Sequence, residues 1–255
     1  MDFVQTRTII DALPGWVAQF ADRLPQPVKK TVDGGGFRWE HEALDADTLQ
    51  VAKAVRIASG LRAAMLLADS GHTVECAAIL RTVADFAAEI VFIGEGLLEG
   101  RFTTEQARFI EQHHAAPPTS VDELADRERD YYVGRKAIAK AHKRIAEKTG
   151  ESAEKLLNIA SFLNKGYDSY VHGSYASAME LFTGSTMGFM MRETESPRNA
   201  CTAKVSVAGK LNESLNALHF MAMTRRMKAL DAELCSAFDS IHESREDTGW
   251  PCRDL

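Results

Sequence analysis

Three charged side chains lie at helical spacing on an otherwise apolar stretch of this 255-residue sequence. Positions 76–93 contain only Arg81, Asp85 and Glu89 as charged residues, each four positions after the last. Steps of four place side chains in one line along an α-helix. A helix that is apolar nearly all round is buried in a bundle, so these charges must be paired. They form either an ion-pair ladder that fixes helix register or the lining of a polar pocket.

A second group of reactive side chains lies in positions 166–175, which contain three tyrosines and one histidine. Asp168 precedes His172 by four residues, so a helix would place both on one face and let the carboxylate orient the imidazole. A histidine held in this way can act as a general acid or base near neutral pH. The alternative is a helix-capping histidine, with Tyr167 and Tyr170 bridging the core and the solvent.

Together these two stretches resemble the HEPN-like helical-bundle superfamily. The shared features are Arg81 followed by two acids on an apolar helix, and a Tyr-x-x-Tyr-x-His-Gly-Ser segment about 85 residues later. The sequence is most similar to a mostly bacterial branch with an Arg…Glu helix and a Tyr…Ser…His segment, over about residues 45–190. The resemblance implies an antiparallel bundle that dimerises through the face carrying its motif. The binding residues would be Arg81, Asp85, Glu89, Tyr167 and Tyr170.

The nuclease members of that superfamily are metal-independent RNases that use an arginine, four to six further residues and then a histidine. On that pattern His172 is the candidate catalytic residue, but no arginine occurs between Arg144 and Arg192. Lys165, seven positions before His172, is the weaker substitute, because lysine neutralises phosphate but cannot form a bidentate fork. Arg81 could replace the missing arginine only if the fold brings it there.

The preferred function is therefore a non-catalytic binding or dimerisation module with a polar pocket. The alternative function is a metal-independent RNase, of toxin or defence type, that uses His172. The expected partner is a second copy of the chain, with RNA a less favoured partner and no membrane partner. The net charge of −6 also argues against wholesale binding of polyanions. A basic run within 135–148 would suit RNA, but its position after an acidic helix start also fits the helix dipole.

No metal or cofactor is expected from the spacing of possible ligands. The four cysteines are widely scattered and include no Cys-x-x-Cys. His113 and His114 are adjacent, and His41 is isolated between two glutamates, so none has the His-x-x-x-His spacing of a zinc helix. Scattered cysteines and the absence of a signal-peptide pattern at the N-terminus predict a reduced, cytoplasmic protein.

Helices must position all of these residues, and the predicted fold class is all-α. We expect one up-and-down helical bundle over 1–255, with a kinked N-terminal helix and loop (1–44), a HEPN-like core (45–190) and a long C-terminal helix (196–243). Apolar residues repeat at helical spacing over 79–97. No strand pair is predicted, and positions 25–45 are expected to form a loop.

Helix boundaries follow from capping residues and glycines. Asp47 is the predicted N-cap of the helix before the charged stretch, and Gly71 is its predicted end. Ser120 begins a capping-box pattern for a later helix that runs to about Thr149. Pro14 lies inside the N-terminal helical pattern and predicts a kink or a split there.

Overall fold

The protein is built almost entirely from α-helices. The computed structural model describes residues 3–31, 36–43, 45–114, 135–149, 168, 170–172 and 197–246. Within these ranges the predicted all-α class is confirmed, with seven helices and one short hairpin. The elements are α1 (Val4–Ala21), β1 (Val28–Thr31), β2 (Phe37–Glu40), α2 (Ala46–Asp69), α3 (Thr73–Glu99), α4 (Thr104–His114), α5 (Arg135–Thr149), α6 (Pro197–Thr224) and α7 (Lys228–Glu246).

The centre of the bundle is α3, which packs against α2 and α6. The apolar repeat predicted over 79–97 lies on this helix, and Val83 and Ile90 are at most 1% exposed. They meet buried side chains such as Leu61 of α2 and Leu215 of α6 in one continuous core. Helices α1 and α7 cover the same core. The charged stripe of α3 is therefore carried by the most enclosed helix in the described part of the chain.

α2 begins at a capping box that differs from the predicted one. Its N-cap is Asp45, whose carboxylate accepts from the Thr48 N–H at 2.9 Å, while the Asp45 N–H donates to Thr48 Oγ1 at 2.9 Å. The reciprocal bonds satisfy two backbone donors, so the predicted N-cap at Asp47 is wrong. The predicted stop at Gly71 is confirmed, because this glycine adopts φ 78°, the left-handed conformation that follows a helix.

The predicted continuous C-terminal helix is wrong, because α6 and α7 are separated at residues 225–227. Arg226 adopts φ 55°, and the Met227 N–H donates to the Ala222 carbonyl at 3.0 Å. These features form a Schellman ending with arginine where glycine is usual. Met227 is 8% exposed and joins the core. The left-handed arginine costs about 1 kcal/mol, which burial of Met227 offsets.

Two expectations concern the N-terminal region. A kink or a split was predicted at Pro14, and α1 is continuous from Val4 to Ala21 with this proline inside it, so the helix is not split. Positions 25–45 contain an antiparallel hairpin in which Lys29 lies opposite Trp39. The expectation that no strands pair is therefore wrong. Both strands are largely exposed and lack the alternation of buried and exposed residues that marks a strand in a sequence.

Several predictions fall on residues outside the described part of the chain. They are the capping box at Ser120 and the site residues Lys165 and Tyr167. None of the described helices combines the length and the apolar character needed to cross a membrane.

Three of the four cysteines lie in the described part of the chain. Cys201 is disulfide-bonded, whereas Cys76 and Cys235 are free thiols. Burial raises the pKa of Cys76 to about 12, so this thiol is inert at neutral pH. Cys235 is exposed on α7.

Candidate functional site

Arg81 is the most deeply buried member of the charged stripe. It lies on α3 between apolar neighbours and is 2% exposed. Its guanidinium contacts Asp85 one turn along the same helix, and Nε donates to Asp168 Oδ1 at 2.7 Å. Burial alone would lower the pKa of Arg81, but the two carboxylates outweigh burial and raise it. Arg81 therefore stays charged and holds two acids.

The cluster of Arg81, Asp85 and Asp168 connects α3 to the tyrosine–histidine segment. Asp168, which the sequence pattern paired with His172, gives its carboxylate to Arg81. The His172 N–H donates to the Asp168 carbonyl at 3.1 Å, so His172 lies one helical turn away. Tyr170 is half-buried and the His172 side chain is exposed. Of the predicted residues, the structure thus brings Arg81, Asp85 and Asp168 into direct contact.

Glu89 belongs to a different ion pair. Lys53 of α2 places Nζ 2.7 Å from Glu89 Oε2, and the two side chains are only 10% and 15% exposed. The same ammonium lies 5.0 Å from the ring centre of Phe86 and 5.8 Å from that of Phe109. These distances are within the range of cation–π attraction. Sequence reasoning missed Lys53, although a single lysine among apolar neighbours on a core helix was a signal for a buried pair.

Glu95, also missed, is the acid at the junction of three helices. It is 4% exposed on α3, and both of its carboxylate oxygens bind Arg144 of α5. Gln106 of α4 donates from Nε2 to Glu95 Oε2 at 3.0 Å and to the Phe92 carbonyl at 2.7 Å. The Glu95 carboxylate raises the pKa of Arg144. A two-oxygen fork of this kind is the strongest form of ion pair in proteins.

A fourth polar junction connects α2, α3 and the end of α6. Gln50 is fully buried and donates from Nε2 to the Ile90 carbonyl at 2.7 Å. Its Oε1 accepts from Arg225 Nη1 at 2.6 Å, and Arg225 Nη2 lies 2.5 Å from Asp47. Burial lowers the pKa of Arg225, against the opposing effect of Asp47. Asp47 is therefore an ion-pair partner rather than a helix cap.

The basic run on α5 is partly turned towards the bundle. Arg144 is committed to Glu95, and Lys143 lies 3.7 Å from Glu147 on its own helix. Lys136 and Lys140 are exposed. Three histidines that the sequence analysis considered as metal ligands contact backbone carbonyls. His113 contacts the carbonyl of Phe109, His114 that of Asp45 and His41 that of Pro25.

Taken together, Arg81, Glu89 and Glu95 of α3 are paired in three separate clusters. Arg81 has two acids, Glu89 has Lys53, and Glu95 has Arg144. Such pairs connect α3 to α2, to α5 and to the segment that contains Asp168. Comparison of the chain with family models, curated proteins and solved structures finds no match.

His142 makes stability depend on pH. Its Nε2 lies 3.2 Å from the Ala88 carbonyl of α3, and burial lowers its pKa despite that hydrogen bond. The unfolded chain therefore takes up a proton at a higher pH than the folded chain. We expect the free energy of unfolding to fall by about 1 kcal/mol through this group between pH 7.5 and 5.5.

Urea unfolding at both pH values measures this effect. His142→Gln removes the titrating group. The difference in the free energy of unfolding between the variant and the parent chain should therefore become smaller as the pH falls. His41→Gln replaces a half-buried histidine elsewhere in the chain, so it is the control variant and should leave the difference in stability between the two pH values unchanged. A His142→Gln variant with the same pH dependence as the parent would contradict the assignment.

Proposed function

We propose that this chain is a non-catalytic binding or dimerisation module with a polar pocket, of the HEPN-like type that its sequence resembles. The observation that carries the proposal is the pairing of Arg81 with both Asp85 and Asp168. One guanidinium and two carboxylates have a formal charge of −1. The cluster therefore repels a phosphate group rather than attracting it.

The RNase alternative needs a free cation beside the catalytic histidine. In that mechanism His172 would move the proton of the attacking hydroxyl, and a nearby cation would stabilise the charge on phosphorus. Arg81 reaches the helical turn that ends at His172, but two acids already bind its Nε and Nη1. Releasing them would cost the energy of a buried ion pair. This cost favours binding over catalysis.

The polar pocket is proposed at the remaining face of Arg81. Nη2 of this residue is buried and finds no hydrogen-bond acceptor among the described residues. A buried donor without an acceptor costs about 1–3 kcal/mol. A small polar ligand, or a water molecule, that supplies an oxygen there would recover that energy.

The proposed dimer surface is the exposed side of the segment that Arg81 holds. Val171 is 49% exposed, the neighbouring His172 is exposed and Tyr170 is half-buried. An exposed apolar residue on a segment fixed by a buried ion pair is a suitable contact for a second copy. The HEPN-like resemblance implies dimerisation through this same face.

The test has two arms on the purified full chain. In the first, light scattering measures the mass in solution, and we expect about twice the 28.1 kDa of one chain. Val171→Glu should shift the mass to that of one chain. Val55→Glu is the matched control, since Val55 on α2 is also 49% exposed, and it should leave the dimer intact. A parent chain that stays monomeric at all concentrations overturns the dimer.

In the second arm the chain is incubated with labelled single-stranded RNA beside a His172→Ala variant. We expect no cleavage above that of the variant. Cleavage by the parent chain that disappears in His172→Ala would overturn the non-catalytic proposal and establish the RNase alternative. Cleavage that persists unchanged in the variant excludes His172 as its catalyst, which agrees with the proposal for this site.

A further inference from the structure

Three side chains of different metal-ligand types meet between α6 and α7. His219 of α6 places Nδ1 2.7 Å from Asp231 Oδ1 and 3.5 Å from Cys235 Sγ, both on α7. One ligand atom from each residue lies within 4.8 Å of the other two. Asp231 and Cys235 are four residues apart on one helix, so they share a face.

We propose that His219, Asp231 and Cys235 form a binding site for a divalent transition metal, and that Zn²⁺ is the ion the site suits. Imidazole nitrogen, thiolate sulfur and carboxylate oxygen are the three ligand types that zinc takes in proteins. A thiolate and a carboxylate together balance the charge of the ion. Hard cations such as Mg²⁺ and Ca²⁺ prefer oxygen ligands alone and would not use the sulfur.

The distances already approach those of a zinc site. Bond lengths of about 2.0–2.3 Å in tetrahedral geometry separate the ligand atoms by about 3.3–3.6 Å. The separation of 3.5 Å between Cys235 Sγ and His219 Nδ1 matches this range. The 2.7 Å between His219 Nδ1 and Asp231 Oδ1 must widen slightly, which a rotation of the aspartate side chain would supply.

A second observation concerns the carboxylate. Asp231 Oδ1 is buried and has no well-directed hydrogen bond within the described part of the chain. Its contact with His219 is an ion pair only when the ring is protonated. A metal ion between the two atoms would satisfy both at neutral pH. His219 and Asp231 remain partly exposed and Cys235 is exposed, so an ion can enter from solvent.

The helix break creates the site. On the continuous helix that the sequence predicts, His219 and Asp231 would lie about 18 Å apart along the axis. The turn at Arg226 folds α7 back against α6 and brings the two residues together. This explains why the ligand spacing in the sequence predicts no metal site.

Titration of the metal-free full chain with Co²⁺ tests the proposal, because a cobalt–thiolate bond gives a charge-transfer absorption band. We expect one Co²⁺ per chain with this band, and displacement of Co²⁺ by Zn²⁺. Cys235→Ser should abolish the band. His219→Ala and Asp231→Asn should each weaken binding at least about tenfold. Circular dichroism should show that each variant remains helical.

Asp239→Asn is the matched control. It removes the same charge from the same helix, four residues beyond Cys235, but from a side chain outside the trio. We expect its affinity for Co²⁺ to be no lower than that of the parent chain, because the lost charge takes no part in binding the ion. The proposal is overturned if no band forms, if the band persists in Cys235→Ser, or if Asp239→Asn weakens binding as much as Asp231→Asn.

Discussion

Arg81→Ala is expected to lower the free energy of unfolding by about 3 kcal/mol. The substitution removes a guanidinium that is 2% exposed and leaves Asp85 and Asp168 facing each other without a cation. The two carboxylates are 44% and 25% exposed, so they can turn partly to water. The loss should therefore lie at the lower end of the range for breaking a buried ion pair. Urea unfolding followed by circular dichroism measures it.

Two further variants show whether the cost comes from the cluster. Arg81→Lys keeps the charge but cannot hold two carboxylates with a planar fork, so its loss should be intermediate. Arg62→Ala removes an exposed arginine from α2 and should change stability by no more than about 0.5 kcal/mol. Equal effects of Arg81→Ala and Arg62→Ala would mean that the buried cluster contributes nothing.

Glu95→Ala is expected to cost about 2–3 kcal/mol. The glutamate is 4% exposed, and its loss leaves a cavity and breaks the fork to Arg144 and the hydrogen bond from Gln106. Arg144 is 42% exposed and can regain water, which keeps the loss below that of a fully buried pair. Unfolding in urea again gives the value.

The position of Glu95 also predicts which part of the chain the Glu95→Ala substitution destabilises. Its partner Arg144 holds α5 on α3, so amide hydrogen exchange should accelerate over Arg135–Thr149 and stay unchanged over α1. Glu111→Ala, which removes an exposed glutamate from α4, is the control and should alter neither measurement. Uniform acceleration across the whole chain would contradict a local role for Glu95.

The core of the fold was predictable because one signal dominates it. The apolar spacing of 79–97 identifies α3 as a helix, and the scarcity of charge identifies it as a buried one. Gly71 marks the end of α2 because only a left-handed residue closes that turn without strain. These features depend on residues that are close together in the sequence, so the sequence pattern is sufficient to predict them.

Other elements depend on tertiary packing and could not be predicted. The helix break at Arg226 uses neither glycine nor proline, and burial of Met227 stabilises it instead. The hairpin of β1 and β2 is exposed on both faces, so it has no apolar alternation. At these positions the sequence carries no stop signal and no strand signal.

The candidate site was also predictable only in part. The line of Arg81, Asp85 and Glu89 was visible as a pattern, and so was the need to pair it. The ion-pair partners could not be predicted from the sequence. Lys53 lies 36 positions before Glu89, and Arg144 lies 49 positions after Glu95. Distant pairs are set by how the helices pack, and spacing within one helix says nothing about them.

The central claim is that the charge of Arg81 is committed to Asp168 and so holds the tyrosine–histidine segment on α3. A double-mutant cycle with Arg81→Ala, Asp168→Ala and the double variant measures that interaction directly. The cycle cancels every contact that Asp168 makes with other residues. We predict a coupling energy of about 1–2 kcal/mol. Additive effects, with a coupling below about 0.3 kcal/mol, would contradict the claim.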